Sequence, residues 1–216
     1  MKRYLSVWLP DWPLTRFSRA QRARPDAYPP DPAAPFALVE KTAHGLRIAV
    51  ANAAACAQGV SIDLRFTDAK ARAGALIHAD IDRAADAAAL KALADWMIRF
   101  APLVAVDGTD GVMLEVTGCA HLFGGEANML AQISEQLQRN ALPARLGLAG
   151  TQGAAWAVAR YQAGTCLDAG DERAGLAALP VAGLRLSGDA LTLLRRFGLT
   201  HIGQLYEIDR KALARR

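Results

Sequence analysis

Two glycines, Gly198 and Gly203, carry the most specific local signal in the sequence. Their segment matches the helix–hairpin–helix pattern, in which a tight turn with two glycines joins two helices. Backbone N–H groups at such a turn can point at a nucleic-acid phosphate without obstruction by side chains. Gly198 would end the first helix in a left-handed conformation, and Gly203 would permit the close approach. Together with Leu199, Arg195 and Arg196, they predict contacts to a DNA backbone; the alternative is an ordinary antiparallel helix pair.

A second group of residues that could do chemistry consists of carboxylates close together in the chain. Asp107, Asp110 and Glu115 lie within or beside two apolar segments, 103–107 and 112–117. Carboxylate oxygens are preferred ligands of Mg²⁺, and paired Mg²⁺ ions can catalyse phosphoryl transfer when several carboxylates converge on them. We interpret Asp107 as a turn residue.

The apolar pattern around these groups predicts both strands and helices. The predicted strands cover residues 5–9, 36–41, 46–51, 103–107, 112–117 and 145–149, and the predicted helices cover 14–20, 53–57, 67–75, 82–99, 126–140 and 154–161. Hairpins alternating with helices predict an α+β fold, in which helices back an antiparallel sheet. Short helices and glycines follow from residue 179, and residues 209–216 predict the start of another helix.

Composition excludes several classes of protein. The 216 residues are 52% hydrophobic and 21% charged, which supplies enough apolar surface for a core and excludes global disorder. No apolar run approaches the roughly 18 residues of a membrane span, and the N-terminus lacks a signal-peptide cleavage pattern. Three widely spaced cysteines predict small buried side chains in a reducing cytoplasm. The formal net charge of +4 fits a polyanionic partner, and equally a codon bias toward arginine.

Residues 101–125 resemble the second palm motif of the Y-family translesion DNA polymerases, S-P-x-V-E-x-x-S-I-D-E-A-Y-L-D-x-T. Four more segments resemble motifs of that family in the family's order. They are the first metal-binding strand at Leu5–Trp12, the fingers motif at Ala53–Leu64, a palm strand and helix at Arg145–Arg160, and the thumb at Leu179–Leu205.

This resemblance implies a particular domain organisation. Residues 1–12 and 79–165 would form a ferredoxin-like palm, residues 13–78 small fingers, and residues 166–216 a helical thumb with the helix–hairpin–helix turn. The little finger domain and tail of the family are absent from this chain, which we therefore expect to be the N-terminal part of a longer protein.

Most metal-binding positions of the family hold residues that cannot bind metal. The first metal aspartate corresponds to Trp8, the ligand position two residues later to Pro10, and the catalytic glutamate to Gly111. Asp110 remains at the aspartate of the second motif. Because one carboxylate cannot hold two Mg²⁺ ions, the resemblance implies a vestigial metal site without catalytic residues.

The family's contacts to the nucleotide are replaced as well. The fingers tyrosine corresponds to Ala53, the fingers arginine to Cys56 and the palm lysine to about Trp156. This joint loss implies that polymerisation has been abandoned, and we expect no cofactor. Trp8 and Trp12 are expected to lie over the former active-site cleft and to fill it.

The opening Arg3–Pro10, R-Y-L-x-x-W-L-P, resembles the inactive ImuB-type branch of the family, which belongs to bacterial DNA-damage mutasomes. The resemblance implies a cytoplasmic, nucleoid-associated adaptor that binds primer–template DNA through its backbone. The implied protein partners are a sliding clamp, the RecA-like protein ImuA and an error-prone C-family DNA polymerase, with no membrane. The segments that bind the clamp and the polymerase would lie mostly beyond residue 216.

Two other functions remain open from the residues alone. One is residual nucleotidyl transfer by Asp110, Asp11 and Glu115, for which a register shift would have to bring Asp11 into the first motif. The other is a protein–protein module whose C-terminal helices never contact DNA.

The remaining candidates give weaker signals. Histidines 44, 78, 121 and 201 lack partners at metal-ligand spacing, and we interpret them as turn or structural residues. The glycine-bearing turn at 147–153 joins a predicted strand to a predicted helix and could accept an anion.

Overall fold

The protein is described by a computed structural model that covers residues 1–26 and 29–208. The chain forms two compact units: one comprises Met1–Leu9 and the chain from Leu93 onward, and the other comprises Pro10–Ala92. Within the described residues, no helix combines the length and the apolar character that crossing a membrane requires.

Strands and α-helices alternate along the described chain. The strands are β1 Tyr4–Trp8, β2 Phe36–Thr42, β3 Gly45–Ala51, β4 Ile77–Asp80, β5 Leu103–Asp107, β6 Gly111–Glu115, β7 Arg145–Ala149 and β8 Thr165–Cys166. The helices are α1 Trp12–Arg22, α2 Ala53–Ala57, α3 Phe66–Arg72, α4 Arg83–Met97, α5 Glu126–Arg139, α6 Gln152–Tyr161, α7 Glu172–Ala177 and α8 Gly188–Arg196.

A five-stranded sheet in the order β5-β6-β1-β7-β8 forms the centre of the first unit. Its strand pairs are antiparallel except for β7 with β8, which the crossover helix α6 joins in parallel. Strand β1 lies in the middle, so Leu5 and Val7 are fully buried. Helix α6 packs on β1 and β7, while the apolar face of α5 is buried through Met129 and Ile133.

The second unit has a three-stranded sheet in the order β3-β2-β4. Its core combines residues of the sheet, such as Val39 and Ile48, with small residues of the helices, such as Ala55 and Ala69. Trp12 belongs to the interior of this unit: its side chain is buried, and its indole N–H donates to the Asp86 carbonyl at 3.0 Å. The prediction that Trp12 covers the former cleft stays a prediction.

The structure confirms the α+β prediction and much of its local detail. The predicted helix at 53–57 and the predicted strand at 145–149 have these bounds in the structure. Asp82 caps α4 as expected, since its carboxylate accepts from the N–H of Ala85 at 2.9 Å. The expected division into palm-like, fingers-like and thumb-like parts stays a prediction.

Several local predictions are wrong. Helix α3 starts one residue before Thr67 and ends at Arg72, three residues earlier than predicted. Thr67 does not cap it, because Thr67 lies inside the helix and its hydroxyl bonds to Asp68. Strands β4 and β8 were not predicted, since they are short and largely polar. The three cysteines are free, but Cys56 is exposed and the other two are half-buried. The helix predicted at 209–216 lies outside the described residues.

Candidate functional site

Trp8, which the sequence resemblance aligns with the first metal aspartate, bonds to the Asp110 carboxylate. Trp8 ends β1 and pairs in register with Gly111 on β6, directly after Asp110. The N–H of Leu9 donates to the Asp110 carbonyl at 2.8 Å and holds the turn against β1. The Trp8 indole Nε1 then donates to Asp110 Oδ2 at 2.8 Å. The sheet register therefore joins these two residues although 101 residues separate them in sequence.

The other oxygen of Asp110 is held by an arginine that sequence reasoning did not identify. Arg160 on α6 donates from Nη2 to Asp110 Oδ1 at 2.9 Å, and the arginine side chain is only 10% exposed. Burial lowers the pKa of the guanidinium, while the Asp110 carboxylate acts in the opposite direction. Arginine nevertheless remains cationic in proteins, so the pair places a fixed positive charge against the vestigial ligand.

Two indoles enclose this guanidinium. Its carbon lies 3.9 Å from the ring centroid of Trp156 and 5.1 Å from that of Trp8. Among the described residues, the buried Nη1 atom of Arg160 has no hydrogen-bond partner, and the guanidinium is stabilised by its contacts with the two aromatic rings. Trp156, which the sequence resemblance aligns with about the palm lysine, thus packs against a guanidinium of this chain.

Arg185 continues the same stack of side chains. Its guanidinium carbon lies 5.2 Å from the Trp156 centroid, and it forms two hydrogen bonds to Asp107, at 2.7 and 3.2 Å. Arg185 has a left-handed backbone conformation, with φ of 57°, which is unusual for a residue with a side chain. The interpretation of Asp107 as a simple turn residue is wrong, because it ends β5 and takes part in this ion pair.

Arg145, the first residue of β7, lies at the other end of the stack, with its guanidinium carbon 5.5 Å from the Trp8 centroid. We call the series Arg145–Trp8–Arg160–Trp156–Arg185 the arginine–tryptophan ladder. Within it, the Trp8 indole is bonded to Asp110, while the prediction that Trp8 fills the former cleft stays a prediction. Among the described residues, no group of three or more His, Cys, Asp or Glu side chains is arranged to hold a metal ion.

The remaining residues considered for a metal site are Gly111, Asp11, Glu115 and Pro10. Gly111 fits closely, because a Cβ there would lie 3.0 Å from the Asp107 carbonyl oxygen. Asp11 is exposed at the start of α1, and Glu115 forms an ion pair with Lys2 at 3.3 Å. Pro10 lies in the turn after β1.

The residues that replace the nucleotide contacts of the fingers lie on α2. Ala53 and Cys56 are both exposed, and neither side chain could supply the charge or the aromatic ring that the family uses there. The predicted histidine roles are structural where contacts exist: the His78 ring packs 4.3 Å from Phe66, and His201 Nδ1 bonds to the Thr200 hydroxyl at 2.9 Å.

The anion site predicted at residues 147–153 is filled by the protein itself. Glu172 accepts hydrogen bonds from the backbone N–H groups of Gly150 and Gly170, each at 3.0 Å. The negative charge of this carboxylate interacts favourably with the N–H groups and the positive end of the helix dipole at the start of α6. The prediction that the turn attracts an anion is consistent with this contact, but the anion is a side chain of this chain.

The predicted DNA-binding turn has the expected backbone shape, but hydrogen bonds within the protein occupy its backbone N–H groups. Arg195 and Arg196 are exposed at the end of α8, and Gly198 has a φ of +74°. The Gln204 carboxamide oxygen accepts from the N–H groups of Thr200 and His201, at 2.8 and 2.9 Å. These two amides are therefore not free to bind a phosphate.

The neighbouring amides of this turn are bonded as well. The N–H of Leu199 donates to the Leu194 carbonyl, and that of Ile202 to the Leu179 carbonyl, each at 2.9 Å. Gly203 has a packing role, since a Cβ there would lie 3.0 Å from the carbonyl oxygen of Ala177. A contact from this turn to DNA would consequently depend on the two arginine side chains more than on the backbone.

An apolar groove of about 1090 Å³ lies beside the same turn, and sequence reasoning missed it. It is lined mainly by leucines and by Phe197. Leu193, on α8, and Phe197, which directly follows α8, are 40% and 54% exposed.

Comparison with protein families and curated proteins gives consistent matches. Residues 30–160 match the impB/mucB/samB family. Protein ImuB of Caulobacter vibrioides, strains NA1000 and ATCC 19089, is 48% identical over 153 residues, which are 70% of this chain and 33% of the relative. The chain thus spans about a third of the length of these curated relatives.

The fold also matches solved structures of DNA polymerases. DinB from Sulfolobus solfataricus superposes with a TM-score of 0.75 at 16% identity, over 99% of this chain and 62% of the DinB chain. The insertion ternary complex of Dbh DNA polymerase gives the same TM-score at 14% identity and the same coverage. At these identities the similarity establishes a shared fold.

Proposed function

This chain belongs to the impB/mucB/samB family, and from that premise we propose that it is a non-catalytic, polymerase-like part of a DNA-damage mutasome. In this proposal it binds primer–template DNA during translesion synthesis in the cytoplasm, at the nucleoid. The whole protein would bridge a sliding clamp, the RecA-like protein ImuA and an error-prone C-family DNA polymerase. The 48% identity to ImuB over the N-terminal part supports this role.

The observation that carries the non-catalytic proposal is the state of Asp110. Both of its oxygens accept hydrogen bonds from fixed donors, the Trp8 indole and the Arg160 guanidinium. A divalent cation at Asp110 would have to separate an ion pair whose arginine is nine-tenths buried, and would leave that guanidinium unpaired. Since Trp8 and Gly111 offer no replacement carboxylate, the region would repel Mg²⁺ and not concentrate it.

DNA binding is supported by the fold and by the charges of the C-terminal segment. Solved relatives with this fold include a ternary complex of a DNA polymerase. In our proposal residues 166–216 act as a thumb whose exposed Arg195 and Arg196 contact DNA phosphates. Gly198 and Leu199 shape the turn that follows them, and Gly203 packs it against α7. Residues 1–12 with 79–165 would correspond to the palm, and 13–78 to the fingers.

A residually active polymerase is the second candidate, because the solved structures with this fold are DNA polymerases. It would depend on Asp110 with Asp11 and Glu115. The separation of Glu115 into an ion pair with Lys2 argues against this set.

A gel assay of primer extension with all four dNTPs separates the two candidates. We expect no incorporation by this chain with Mg²⁺ or Mn²⁺, and the Asp110→Asn variant should give the same blank result. Template-dependent extension that Asp110→Asn abolishes would overturn the non-catalytic proposal.

A further inference from the structure

The arginine–tryptophan ladder contains more positive than negative charge. Asp110 neutralises Arg160, and Asp107 neutralises Arg185. Arg145 forms no ion pair with any carboxylate in the part of the chain that the structure describes; its contacts are the Trp8 ring and the Arg160 carbonyl, at 3.4 Å from Nη1. The ladder therefore ends in an exposed and uncompensated guanidinium.

The position of Arg145 is fixed before any ligand arrives. Arg145 pairs in register with Trp8 across β7 and β1, so its backbone lies beside the central strand of the sheet. Trp8 is itself held by its hydrogen bond to Asp110. A guanidinium that is already ordered against an aromatic ring loses less conformational freedom when it binds an anion than a free side chain would.

The surroundings of Arg145 favour a phosphate as that anion. A guanidinium offers paired N–H donors that match two oxygens of a phosphate. Asp110, the carboxylate that bonds to Trp8, is neutralised by Arg160 and so repels an incoming anion much less than a free carboxylate would. In a metal-binding polymerase cleft the same region would carry negative charge and would require divalent cations to hold phosphates.

We propose that Arg145, supported by the ladder, binds a backbone phosphate of DNA without a divalent metal ion. This inference rests on the proposed DNA-binding function and adds a second contact to it, on the sheet, separate from Arg195 and Arg196. The ladder thus has two roles: Arg160 occupies the place of a metal ion, and Arg145 presents charge to the DNA.

The test is the affinity of the 216-residue chain for a fluorescent primer–template, measured by anisotropy in EDTA between 50 and 200 mM salt. The Arg145→Ala variant should bind roughly threefold to tenfold more weakly at low salt, and the slope of log K against log salt should decrease by about one. Arg145→Lys should recover part of the affinity, because it keeps the charge and loses the planar fork.

Arg173→Ala is the matched control, since Arg173 is also exposed and its guanidinium carbon lies 4.4 Å from an aromatic centroid, that of Tyr206. It removes the same charge and the same type of stacking outside the ladder. A loss at Arg145 at least threefold greater than at Arg173 supports the proposal.

The remaining outcomes would overturn it. Equal effects of the two variants on affinity and slope would refute the phosphate site and leave the proposed DNA-binding function intact. Affinity that disappears in EDTA and returns with Mg²⁺ would refute metal-independent binding. Wild-type chain that binds no DNA under any of these conditions would refute both proposals, and competition by free dNTP at micromolar concentration would identify a nucleotide site instead.

Discussion

At the scale of single residues, partly buried ion pairs connect distant parts of the first unit. Arg3 donates from Nε and Nη2 to the two oxygens of Glu126, each at 2.6 Å, and the Cys166 thiol lies 3.0 Å from Oε2. The hydrogen bonds from Arg3 lower the pKa of Glu126 below its usual 4.5, although burial opposes the shift. Burial, followed by the contact with Glu126, raises the pKa of Cys166 to about 11, so this thiol stays protonated and unreactive at neutral pH.

Glu126→Gln should therefore destabilise the protein in a pH-dependent way. A carboxylate whose pKa is lower in the folded state contributes stability above pH 4.5, and that contribution disappears as the pH falls through the folded value. We expect a loss of about 1–3 kcal/mol in the free energy of unfolding at pH 7, measured by urea denaturation. The difference from wild type should shrink below about pH 4.

Glu135→Gln provides the control for this experiment. Glu135 also pairs with an arginine, Arg139 at 2.6 Å, but both side chains are more than half exposed. Exposed pairs contribute little, so we expect a change near zero at every pH. A loss for Glu126→Gln that stays constant from pH 7 to pH 3 would contradict the assigned role of the carboxylate.

At the scale of elements, the contact between α6 and β7 sets the geometry of the ladder. Gly147 lies in the middle of β7, and a Cβ at this position would collide with the backbone of α6 at Ala155 and Ala159. The glycine thus lets the helix approach the sheet closely enough for Arg160 to reach Asp110. Close packing of α6 on β7 therefore explains the glycine at position 147 without any ligand.

We expect Gly147→Ala to lower the free energy of unfolding by about 1–3 kcal/mol, because backbone atoms cannot move aside as a flexible side chain could. Thermal denaturation followed by circular dichroism measures the effect. Gly153→Ala is the control on the same helix: nothing lies within 4 Å of its added Cβ, and alanine is the better helix former. Equal melting temperatures for the two variants would argue against close packing of α6 on β7.

At the scale of the whole molecule, the chain shares its fold with DNA polymerases, and contacts with Trp8 and Arg160 engage Asp110. The sequence resemblance to the Y family and its ImuB-type branch is confirmed by the family match, the identity to ImuB and the shared fold. The proposed DNA contacts come from two parts of the chain, Arg145 at the start of β7 and the arginines at the end of α8. Such a surface would bind the DNA backbone without reading its sequence.

Replacing both Arg195 and Arg196 with alanine tests the C-terminal part of this surface. Removing two phosphate contacts should weaken primer–template binding roughly tenfold at low salt and reduce the salt slope by about two, with little dependence on DNA sequence. Arg83→Ala combined with Arg139→Ala removes the same charge from exposed ion pairs elsewhere and should have a smaller effect. Unchanged affinity for the first double variant would remove this turn from the DNA-binding proposal.

The sequence by itself determined the main strands and helices, because apolar periodicity and capping residues such as Asp82 act over a few positions. It also indicated that Trp8 and Gly111 replace metal ligands, since residue identity alone excludes a carboxylate there. These conclusions need no knowledge of distant contacts.

Only the tertiary structure revealed what occupies the vacated positions. Arg160 is an ordinary helical arginine in the sequence, and its role depends on the register of β1 with β6 and on the approach of α6 allowed by Gly147. The structure likewise showed that Trp12 is buried within the second unit and that Gln204 accepts hydrogen bonds from two amides of the predicted DNA-binding turn. Hydrogen bonds and ion pairs between remote residues depend on positions within a few tenths of an ångström, and local sequence patterns do not encode those positions.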